Sequence, residues 1–181
     1  MMTSDESKLI LVLGGARAGK SSFALRMAKE RAERVCFVAT AQALDDEMAR
    51  RIARHREDRP AHWTTIEEPC CIDEALLKAS EAQVVIVDCL TLLVSNWLLR
   101  LENESECEQA LRQISETFFA TVKSRQQTVI CVSNEVGLGL IPETPLGRTF
   151  RDLLGRVNQQ FAEAADEAYL LVAGLPLQLK P

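Results

Sequence analysis

A short glycine-rich stretch near the start of the chain, GGARAGKSS at residues 14–22, constrains the fold more than any other feature of the sequence. The stretch fits the spacing G-x-x-x-x-G-K-[ST] through Gly14, Gly19, Lys20 and Ser21. The glycines let the backbone curl so that successive N–H groups point at phosphate oxygens, and a helix that opens there favours anions. Because the apolar run LILVL precedes the stretch and a helical pattern follows it, the segment predicts a strand, a phosphate-binding loop and a helix.

Three side chains in this pattern are suited to triphosphate chemistry. Lys20 is placed to reach the β- and γ-phosphates, and the Ser21 hydroxyl is placed to ligate Mg²⁺. Asp88 ends the apolar run VVIVD, the usual place for a carboxylate that holds Mg²⁺ directly or through water. An aspartate at a strand end is also common as a helix cap, here before Thr91, so both roles stay open for Asp88.

Five apolar runs alternate with helical patterns along the chain. The runs are LILVL (9–13), VCFVAT (35–40), VVIVD (84–88), TVICVS (128–133) and AYLLVA (168–173). They are continuous rather than alternating, as in strands that are covered on both faces. Helices are predicted at 20–33, 45–56, 72–80, 91–100, 106–125 and 146–166.

This alternation predicts an α/β fold of the P-loop NTPase type, with a mostly parallel sheet flanked by helices on both faces. The end of the chain, LLVAGLPLQLK, predicts a hairpin that adds an antiparallel edge strand. The sequence has no repeat, low-complexity segment or long linker, so we expect a single domain over residues 1–181.

Charge and composition limit the partners and the location. The net charge is −5, from 21 basic and 26 acidic residues, which argues against nucleic acid as a main partner. No apolar run reaches the roughly 18 residues of a membrane span, and the polar start MMTSDESK is unlike a secretory signal. We therefore expect a cytoplasmic protein. Six cysteines without a CxxC pair, together with two histidines, favour free thiols over a zinc site.

The phosphate loop leaves a small-molecule kinase, an ATP motor and a GTP switch as candidate classes. The N-K-x-D motif with which switch GTPases read guanine is missing, and 181 residues are few for a motor. Both observations favour an enzyme that acts on a small molecule.

The segment ATAQALDDEMARRIARHREDRPAHW, residues 39–63, is the most unusual part of the chain. It starts where the second strand ends, at the edge where open α/β sheets bind ligands. Its helix and the turn after it carry Arg50, Arg51, Arg54, His55, Arg56 and Arg59. His55 follows Ile52 by three residues and Met48 by seven, which puts it near the inward edge of the helix. Spacing alone leaves open a solvated basic face with a histidine at its border.

GGARAGKS, ATAQALDDEMARRIARHREDRPAHWTTIEEP and SNEVGLGLIPETPLGRTFRDLLGRVNQQFA together closely resemble one family, the bifunctional adenosylcobinamide kinase / adenosylcobinamide-phosphate guanylyltransferases. The resemblance extends over about residues 8–180. Many families share the phosphate loop, whereas the other two segments are far more specific. The resemblance implies phosphorylation of the aminopropanol hydroxyl of adenosylcobinamide, followed by transfer of GMP from GTP through a covalent GMP–histidine. It also implies a homotrimer.

Carried over to this chain, the resemblance makes His55 the nucleophile and Lys20 its catalytic partner in the loop. GTP, ATP and Mg²⁺ are the implied nucleotides and metal. Glu67 is suited to accept hydrogen bonds from a ribose or from the guanine edge. The implied nucleotide-binding residues are Gly14, Gly15, Ala16, Arg17, Ala18, Gly19, Lys20, Ser21, Ala39, Thr40, Ala41, Arg56, Glu57, Asp58, Arg59, Glu67 and Asp88, with Ser21 and Asp88 on the metal.

Two positions depart from the family pattern. Members often have serine where this chain has Ala18, and we expect little effect because the loop uses its backbone there. Some members carry two adjacent histidines where this chain has Arg54-His55. His62, beside Trp63, is the alternative nucleophile and has the character of a packing or substrate-rim residue.

Two further segments have open roles. The segment SNEVGLGLIPETPLGR follows a strand and has Asn134 and Glu135 at the strand end. Three roles stay open for it: contact with the substrate, contact between subunits, or an ordinary glycine-rich connection. The apolar helix at 91–100 serves as core or as a subunit contact. The rival functions are a kinase without nucleotidyl transfer and a non-enzymatic nucleotide sensor.

Overall fold

A computed structural model describes residues 7–101 and 103–181 of the chain. Strands and helices alternate along it, as the apolar runs predict. In chain order the elements are β1 (Lys8–Gly14), α1 (Lys20–Arg31), β2 (Val35–Ala39), α2 (Asp46–Glu57), β3 (Thr64–Glu67), α3 (Ile72–Lys78), β4 (Val84–Asp88), α4 (Leu90–Arg100), α5 (Glu104–Lys123), β5 (Thr128–Val132), α6 (Pro145–Ala164), β6 (Glu167–Val172) and β7 (Leu175–Lys180).

The strands form one seven-stranded sheet in the order β3-β2-β4-β5-β1-β6-β7. All neighbouring pairs are parallel except β6 and β7, which are antiparallel. Ala39, Asp88 and Val132 are register partners across β2, β4 and β5, so the carboxyl ends of these strands are level. The structure therefore confirms the predicted fold class, including the antiparallel hairpin at the sheet edge.

Helices cover both faces of the sheet, but unequally. One core cluster contains buried side chains of α3, α4, α5 and α6, among them Ile72, Leu93, Phe118 and Phe161. The opposite cluster contains buried residues of α1 together with Trp63. Because β1, β2, β4 and β5 lie between these layers, nearly all their residues are buried, which explains their continuous apolar runs.

The structure corrects one prediction about helical packing, for α2, and it places part of the apolar helix α4 in the core. The helix at 45–56 was expected to have a buried edge, yet α2 contains no buried residue. Met48 and Ile52 are only half-buried, because α2 lies over the carboxyl edge of the sheet rather than on one of its faces. In α4, Leu93 and Val94 are core residues, whereas Leu99 is 65% exposed.

The sequence does not predict one of the strands, and the ends of several helices differ from the predicted ones. β3 has the sequence TTIE, is mostly exposed and lies at the sheet edge, so it carries no apolar run that would reveal it. The predicted helix at 20–33 ends at Arg31, and the one at 72–80 ends at Lys78. The helices predicted at 91–100, 106–125 and 146–166 are α4, α5 and α6, whose bounds differ by one or two residues at the ends.

The C-terminal hairpin supports the phosphate loop. Its two-residue turn has positive φ at both positions, 51° at Ala173 and 83° at Gly174, which matches the twist of the flanking strands. The Gly174 N–H donates to the carbonyl of Ala18 at 3.0 Å. The turn therefore packs directly against the loop between β1 and α1, and this contact helps to fix the loop before any nucleotide binds.

Within the described residues, no helix is both long enough and apolar enough to cross a membrane. All six cysteines carry free thiols. Cys36, Cys70, Cys107 and Cys131 are buried.

Candidate functional site

Close contacts restrict the phosphate loop at Gly14 and Gly19, whereas a Cβ at Gly15 would meet nothing within 4 Å. A Cβ at Gly14, where φ is +154°, would lie 2.6 Å from the carbonyl oxygen of Leu171 on β6. Gly19 has a φ of +92°, and a Cβ there would lie 3.3 Å from the Cα of Gly174. Arg17 also adopts a positive φ, of 60°. The turn therefore needs glycine at these two positions to curl towards a phosphate group.

Lys20 lies inside this loop and is 8% exposed. Its ammonium donates to the carbonyl of Gly15 at 2.6 Å, so the charge has a partner in the loop without a phosphate group. Burial lowers the pKa of Lys20, and the nearby Asp88 carboxylate acts in the opposite direction. The Lys20 ammonium is thus held by the phosphate loop itself in the described structure.

A cleft of about 140 Å³ opens at the carboxyl edge of the sheet, between the loop, α2 and the ends of the central strands. Six of the residues that the sequence assigns to the site line it: Ser21, Ala39, Ala41, His55, Arg59 and Asp88. Its other lining residues are Phe37, Met48, Arg51, Ile52, Cys89, Thr91, Leu92 and Asn134. The carboxylate, the hydroxyl and the imidazole that the chemistry requires therefore border one space.

His55 faces this cleft from the inward side of α2. It is half-buried and lies on the same side of the helix as Met48 and Ile52, which also line the cleft. The arginines on the other side, such as Arg50 and Arg54, are exposed. The interpretation as a solvated basic face thus fits those arginines but not the histidine. His62, the alternative, is exposed and is not among the residues that line the cleft.

Arg59 supplies a fixed cationic group in the cleft. Its guanidinium carbon lies 3.5 Å from the centre of the Phe37 ring, a close cation–π contact. Its Nη1 donates to the Thr65 hydroxyl at 3.4 Å, and its Nε is buried without a partner in the described structure. Burial lowers the pKa of Arg59, and the Asp88 carboxylate acts in the opposite direction. This geometry leaves donors of the guanidinium for an anion.

Several predicted nucleotide-binding residues lie outside the lining of the cleft. Arg56 and Glu67 form an ion pair with each other, and both side chains are more than half exposed. Glu57 and Asp58 are exposed at the end of α2, where Asp58 is the C-cap residue. The carboxylate of Glu67, expected at a ribose or guanine edge, is thus engaged by Arg56 in this structure.

Asp88 has no capping role in the structure. The N-cap residue of α4 is Cys89, and its side chain makes no capping hydrogen bond. Burial raises the pKa of the Cys89 thiol to about 11, and the Asp88 carboxylate acts in the same direction, so the thiol stays neutral near pH 7. The carboxylate of Asp88 therefore borders the cleft beside an uncharged neighbour.

Thr40 is fully buried and connects the ends of β2 and β4. Its hydroxyl accepts from the Cys89 N–H at 2.7 Å and donates to the Cys89 carbonyl at 2.8 Å, while its own N–H donates to the Asp88 carbonyl at 3.2 Å. Asn96 of α4 donates to the Thr40 carbonyl and to the Pro69 carbonyl, each at 2.9 Å. The Thr40 side chain, assigned to nucleotide binding, is thus committed to positioning the backbone next to Asp88.

Replacing Thr40 with valine keeps the volume but removes the hydroxyl, which leaves the Cys89 N–H without its partner and leaves the Cys89 carbonyl with the Leu93 N–H as its donor. We expect a loss of about 1–3 kcal/mol in the free energy of unfolding, measured by urea denaturation. We also expect kcat to fall about tenfold or more in steady-state assays, because Asp88 loses its fixed place. Thr40→Ser keeps the hydroxyl and is the matched control. Equal stability and turnover for Thr40→Val and Thr40→Ser would refute the role.

Sequence reasoning did not assign Phe37, Thr91 or Leu92 to the site, although all three line the cleft. The Thr91 hydroxyl accepts from the Asn134 N–H at 2.8 Å, and Asn158 of α6 donates to the Asn134 carbonyl at 3.0 Å. These contacts hold the chain where it leaves β5. No sequence signal distinguishes such residues from other apolar or capping residues.

The fold and the loop define a class of protein, the P-loop nucleotide-binding α/β proteins. A solved structure of an ATPase domain has the same fold, with a TM-score of 0.57 and 15% sequence identity over 92% of this chain and 69% of that one. Residues 10–179 match the sequence profile of the CobU family, described as "Cobinamide kinase / cobinamide phosphate guanyltransferase". The chain belongs to this family and is an enzyme.

Two curated relatives agree with the family match. The "Bifunctional adenosylcobalamin biosynthesis protein CobU" of Escherichia coli is 40% identical over 181 residues, which cover 95% of this chain and 99% of the relative. The "Bifunctional adenosylcobalamin biosynthesis protein CobP" of Pseudomonas aeruginosa is 44% identical over 171 residues, which cover 94% and 96%. The resemblance drawn from the three sequence segments is thereby confirmed.

Proposed function

We propose that residues 1–181 act as one domain that carries out two successive transfers on adenosylcobinamide. The chain first phosphorylates the aminopropanol hydroxyl with a nucleoside triphosphate, either ATP or GTP. It then transfers GMP from GTP to adenosylcobinamide phosphate, which gives adenosylcobinamide-GDP and pyrophosphate. One observation carries the proposal: an imidazole, His55, borders the same cleft as Ser21 of the phosphate loop and Asp88.

In the first transfer, the substrate hydroxyl oxygen attacks the γ-phosphorus, and the nucleoside diphosphate leaves as the hydroxyl proton is released. The loop N–H groups and Lys20 bind the phosphate oxygens and stabilise the charge that spreads over them. Phosphoryl transfer depends mostly on such positioning, and the contacts of Gly14 and Gly19 with β6 and the hairpin turn fix the loop beforehand.

In the second transfer, an imidazole nitrogen of His55 attacks the α-phosphorus of GTP. A P–N bond forms, the bond between the α- and β-phosphates breaks, and pyrophosphate leaves. A phosphate oxygen of adenosylcobinamide phosphate then attacks the same phosphorus, the P–N bond breaks, and His55 is released as free imidazole. Arg59 in the cleft and Arg51 on the lining face of α2 are suited to bind the phosphate oxygens during both displacements.

The residues at the cleft fit a Mg²⁺ ion that arrives with the nucleotide. The Ser21 hydroxyl and the Asp88 carboxylate are hard oxygen ligands that line one space, and Mg²⁺ takes its other ligands from phosphates and water. When bound, the ion would neutralise charge on the phosphate oxygens. Metal dependence of both transfers is therefore part of the proposal.

Incubation of the purified chain with adenosylcobinamide, GTP and Mg²⁺ tests the whole scheme. We expect adenosylcobinamide phosphate to form and then to convert to adenosylcobinamide-GDP, with pyrophosphate released in equal amount, as followed by liquid chromatography and mass spectrometry. A reaction that stops at the phosphate would leave only the kinase. If the chain binds the nucleotide but forms no product, the remaining interpretation is a non-enzymatic nucleotide sensor.

The proposal also includes a homotrimer, a cytoplasmic location and no nucleic-acid partner. The trimer rests on the family resemblance. A row of exposed apolar side chains on the terminal hairpin, Val172, Leu175, Leu177 and Leu179, offers a surface of the kind that subunits bury. Sedimentation equilibrium of the purified chain gives the number of subunits directly.

A further inference from the structure

A buried polar network holds the chain where it leaves β5. Ser133 is fully buried, and Asn158 of α6 is 5% exposed. The Ser133 hydroxyl donates to the Oδ1 atom of Asn158 at 2.6 Å, and the Nδ2 atom of Asn158 donates to the Asn134 carbonyl at 3.0 Å. From α4, the Thr91 hydroxyl accepts from the Asn134 N–H at 2.8 Å. Both backbone groups of Asn134 are therefore occupied, each by a side chain of a different helix.

The carboxamide of Asn134 is the part of this residue that the network leaves unused. Within residues 7–101 and 103–181, the hydrogen bonds of Asn134 involve its backbone alone. Asn134 lines the cleft, and it is the one side-chain amide in the described lining. A carboxamide has two N–H donors and an acceptor oxygen, whose partners in a cleft are water or a ligand. A fixed backbone with an unused polar group beside a cleft is the arrangement that a binding group requires.

The phosphate loop is one neighbour of Asn134. β5 pairs with β1, the strand that leads into the loop. The N–H of the next residue, Glu135, donates to the Gly14 carbonyl at 3.0 Å. The carbonyl of Gly15, which follows Gly14, accepts from the Lys20 ammonium at 2.6 Å. A short chain of contacts thus connects the end of β5 with the cation of the phosphate loop.

The end of β4 is the other neighbour of Asn134. β5 lies between β1 and β4, and Asp88 and Val132 are register partners, so Asn134 follows the level of Asp88 by two residues. Thr91, which accepts from the Asn134 N–H, follows Asp88 by three residues and lines the cleft as well. Asn134 therefore lies between the loop that contains Lys20 and the strand end that carries Asp88.

We propose that the carboxamide of Asn134 binds the γ-phosphate of the nucleoside triphosphate and stabilises its transfer to the corrinoid hydroxyl. This inference rests on the proposed function and adds a catalytic residue to its first transfer. Lys20 and Asp88, the groups assigned to the β- and γ-phosphates and to their metal ion, flank Asn134, so the terminal phosphate is the part of the nucleotide that faces it. An N–H donor on a γ-oxygen stabilises the charge that spreads over these oxygens during transfer.

The position of the γ-phosphate makes the role of Asn134 selective for one transfer. In the first transfer the γ-phosphorus is the reacting atom, so a donor on its oxygens contributes to kcat. When His55 attacks GTP, the bond that breaks joins the α- and β-phosphates, and the γ-phosphate is the far end of the leaving pyrophosphate. The same donor then contributes to GTP binding, and hence to KM, with little effect on the rate at saturation.

Nucleotide binding by Asn134→Ala tests the contact without any corrinoid. The variant keeps the backbone bonds to Thr91 and Asn158, so we expect it to fold. With Mg²⁺ present, isothermal titration calorimetry should show that Kd for the β,γ-imido analogue of ATP rises about 10–100-fold, as expected for one lost hydrogen bond to a charged group. Kd for ADP, which lacks the γ-phosphate, should stay unchanged. Gln126→Ala, at an exposed carboxamide before the opposite end of β5, is the matched control and should bind both nucleotides like the unsubstituted chain.

Initial rates at saturating nucleotide test the catalytic role of the same variant. We expect phosphorylation of adenosylcobinamide by ATP to slow about 10²–10³-fold, as for the loss of one donor to a transition-state oxygen. The GMP adduct from GTP labelled in the α-phosphate should form as fast as in the unsubstituted chain. A purely structural role of Asn134 would instead slow both reactions and weaken ADP binding as well.

Each other result contradicts a stated part of the scheme. Equal changes in Kd for ADP and for the imido analogue, or no change in either, would overturn the proposal, and so would equal slowing of both transfers. A higher KM for adenosylcobinamide with unchanged nucleotide binding would assign the carboxamide to the corrinoid instead. If the unsubstituted chain forms no phosphorylated corrinoid while Asn134→Ala still loses affinity for the imido analogue alone, the proposed function fails and the contact with the γ-phosphate stands.

Discussion

Replacing His55 with alanine is expected to abolish the covalent GMP adduct while phosphorylation of adenosylcobinamide continues. The imidazole is the proposed nucleophile, and alanine offers no atom that can attack the α-phosphorus. Guanylyl transfer should therefore fall by about 10⁴-fold or more, in line with the loss of other catalytic nucleophiles. Transfer of the γ-phosphoryl group uses the substrate hydroxyl as nucleophile, so it does not require His55.

The measurement uses GTP labelled in the α-phosphate, followed by denaturing electrophoresis of the protein. The adduct should be stable in alkali and labile in acid, as a phosphoramidate is. His62→Ala is the matched control, since His62 is exposed and outside the lining of the cleft, and it should label fully. Labelling of His55→Ala, or loss of labelling in His62→Ala, would show that the nucleophile is assigned to the wrong residue.

Much of the fold was predictable because the central strands are buried on both faces. The runs at β1, β2, β4 and β5 are apolar without interruption, and such runs separated by helical patterns indicate a parallel sheet. β3 lacked this signal, because an exposed edge strand of four residues needs no apolar side chains. The packing of α2 was also beyond prediction, since periodicity shows that Met48 and Ile52 share a face but not what that face contacts.

In the site, as in the fold, features set by a local sequence pattern are predictable, whereas contacts between residues far apart in sequence are not. The phosphate loop is a local motif, and its residues lie where the spacing puts them. The relation of Asp88 and Asn134 to the loop follows from a rule for parallel sheets, whose carboxyl ends share an edge. The bonds of Thr40 to Cys89 and the stacking of Arg59 on Phe37 join residues far apart in sequence, so no local pattern reveals them.

The phosphate loop and His55 also differ in how much each indicates about the reaction. The loop motif suits any triphosphate, and Gly14 and Gly19 are explained by the close approach of Leu171 and Gly174 alone. His55 is explained by no packing need, because α2 buries no residue in the core. A side chain kept half-buried beside a cleft, with no structural partner among the described residues to account for it, is better explained by chemistry than by stability.

Replacing Lys20 is expected to impair both transfers, in contrast to the selective effect at His55. Its ammonium is the fixed cation of the phosphate loop, and both displacements place negative charge on phosphate oxygens that the loop holds. Loss of one such donor lowers kcat by about 10²–10³-fold in other enzymes, and we expect a fall of that size for each transfer. KM for the nucleotide should rise as well, because the same group binds the ground state.

Lys20→Met is the informative variant, since it keeps the aliphatic stem within a site that is 8% exposed and removes only the charge. Folding should survive, because a buried ammonium bonded to the Gly15 carbonyl is replaced by an apolar group of similar volume. Lys29→Ala, on the exposed side of the same helix, is the matched control for the loss of a positive charge. Thermal unfolding, initial rates of both transfers and labelling by GTP should be compared for the three chains. A Lys20→Met chain that folds and keeps either transfer at full rate would remove Lys20 from that step.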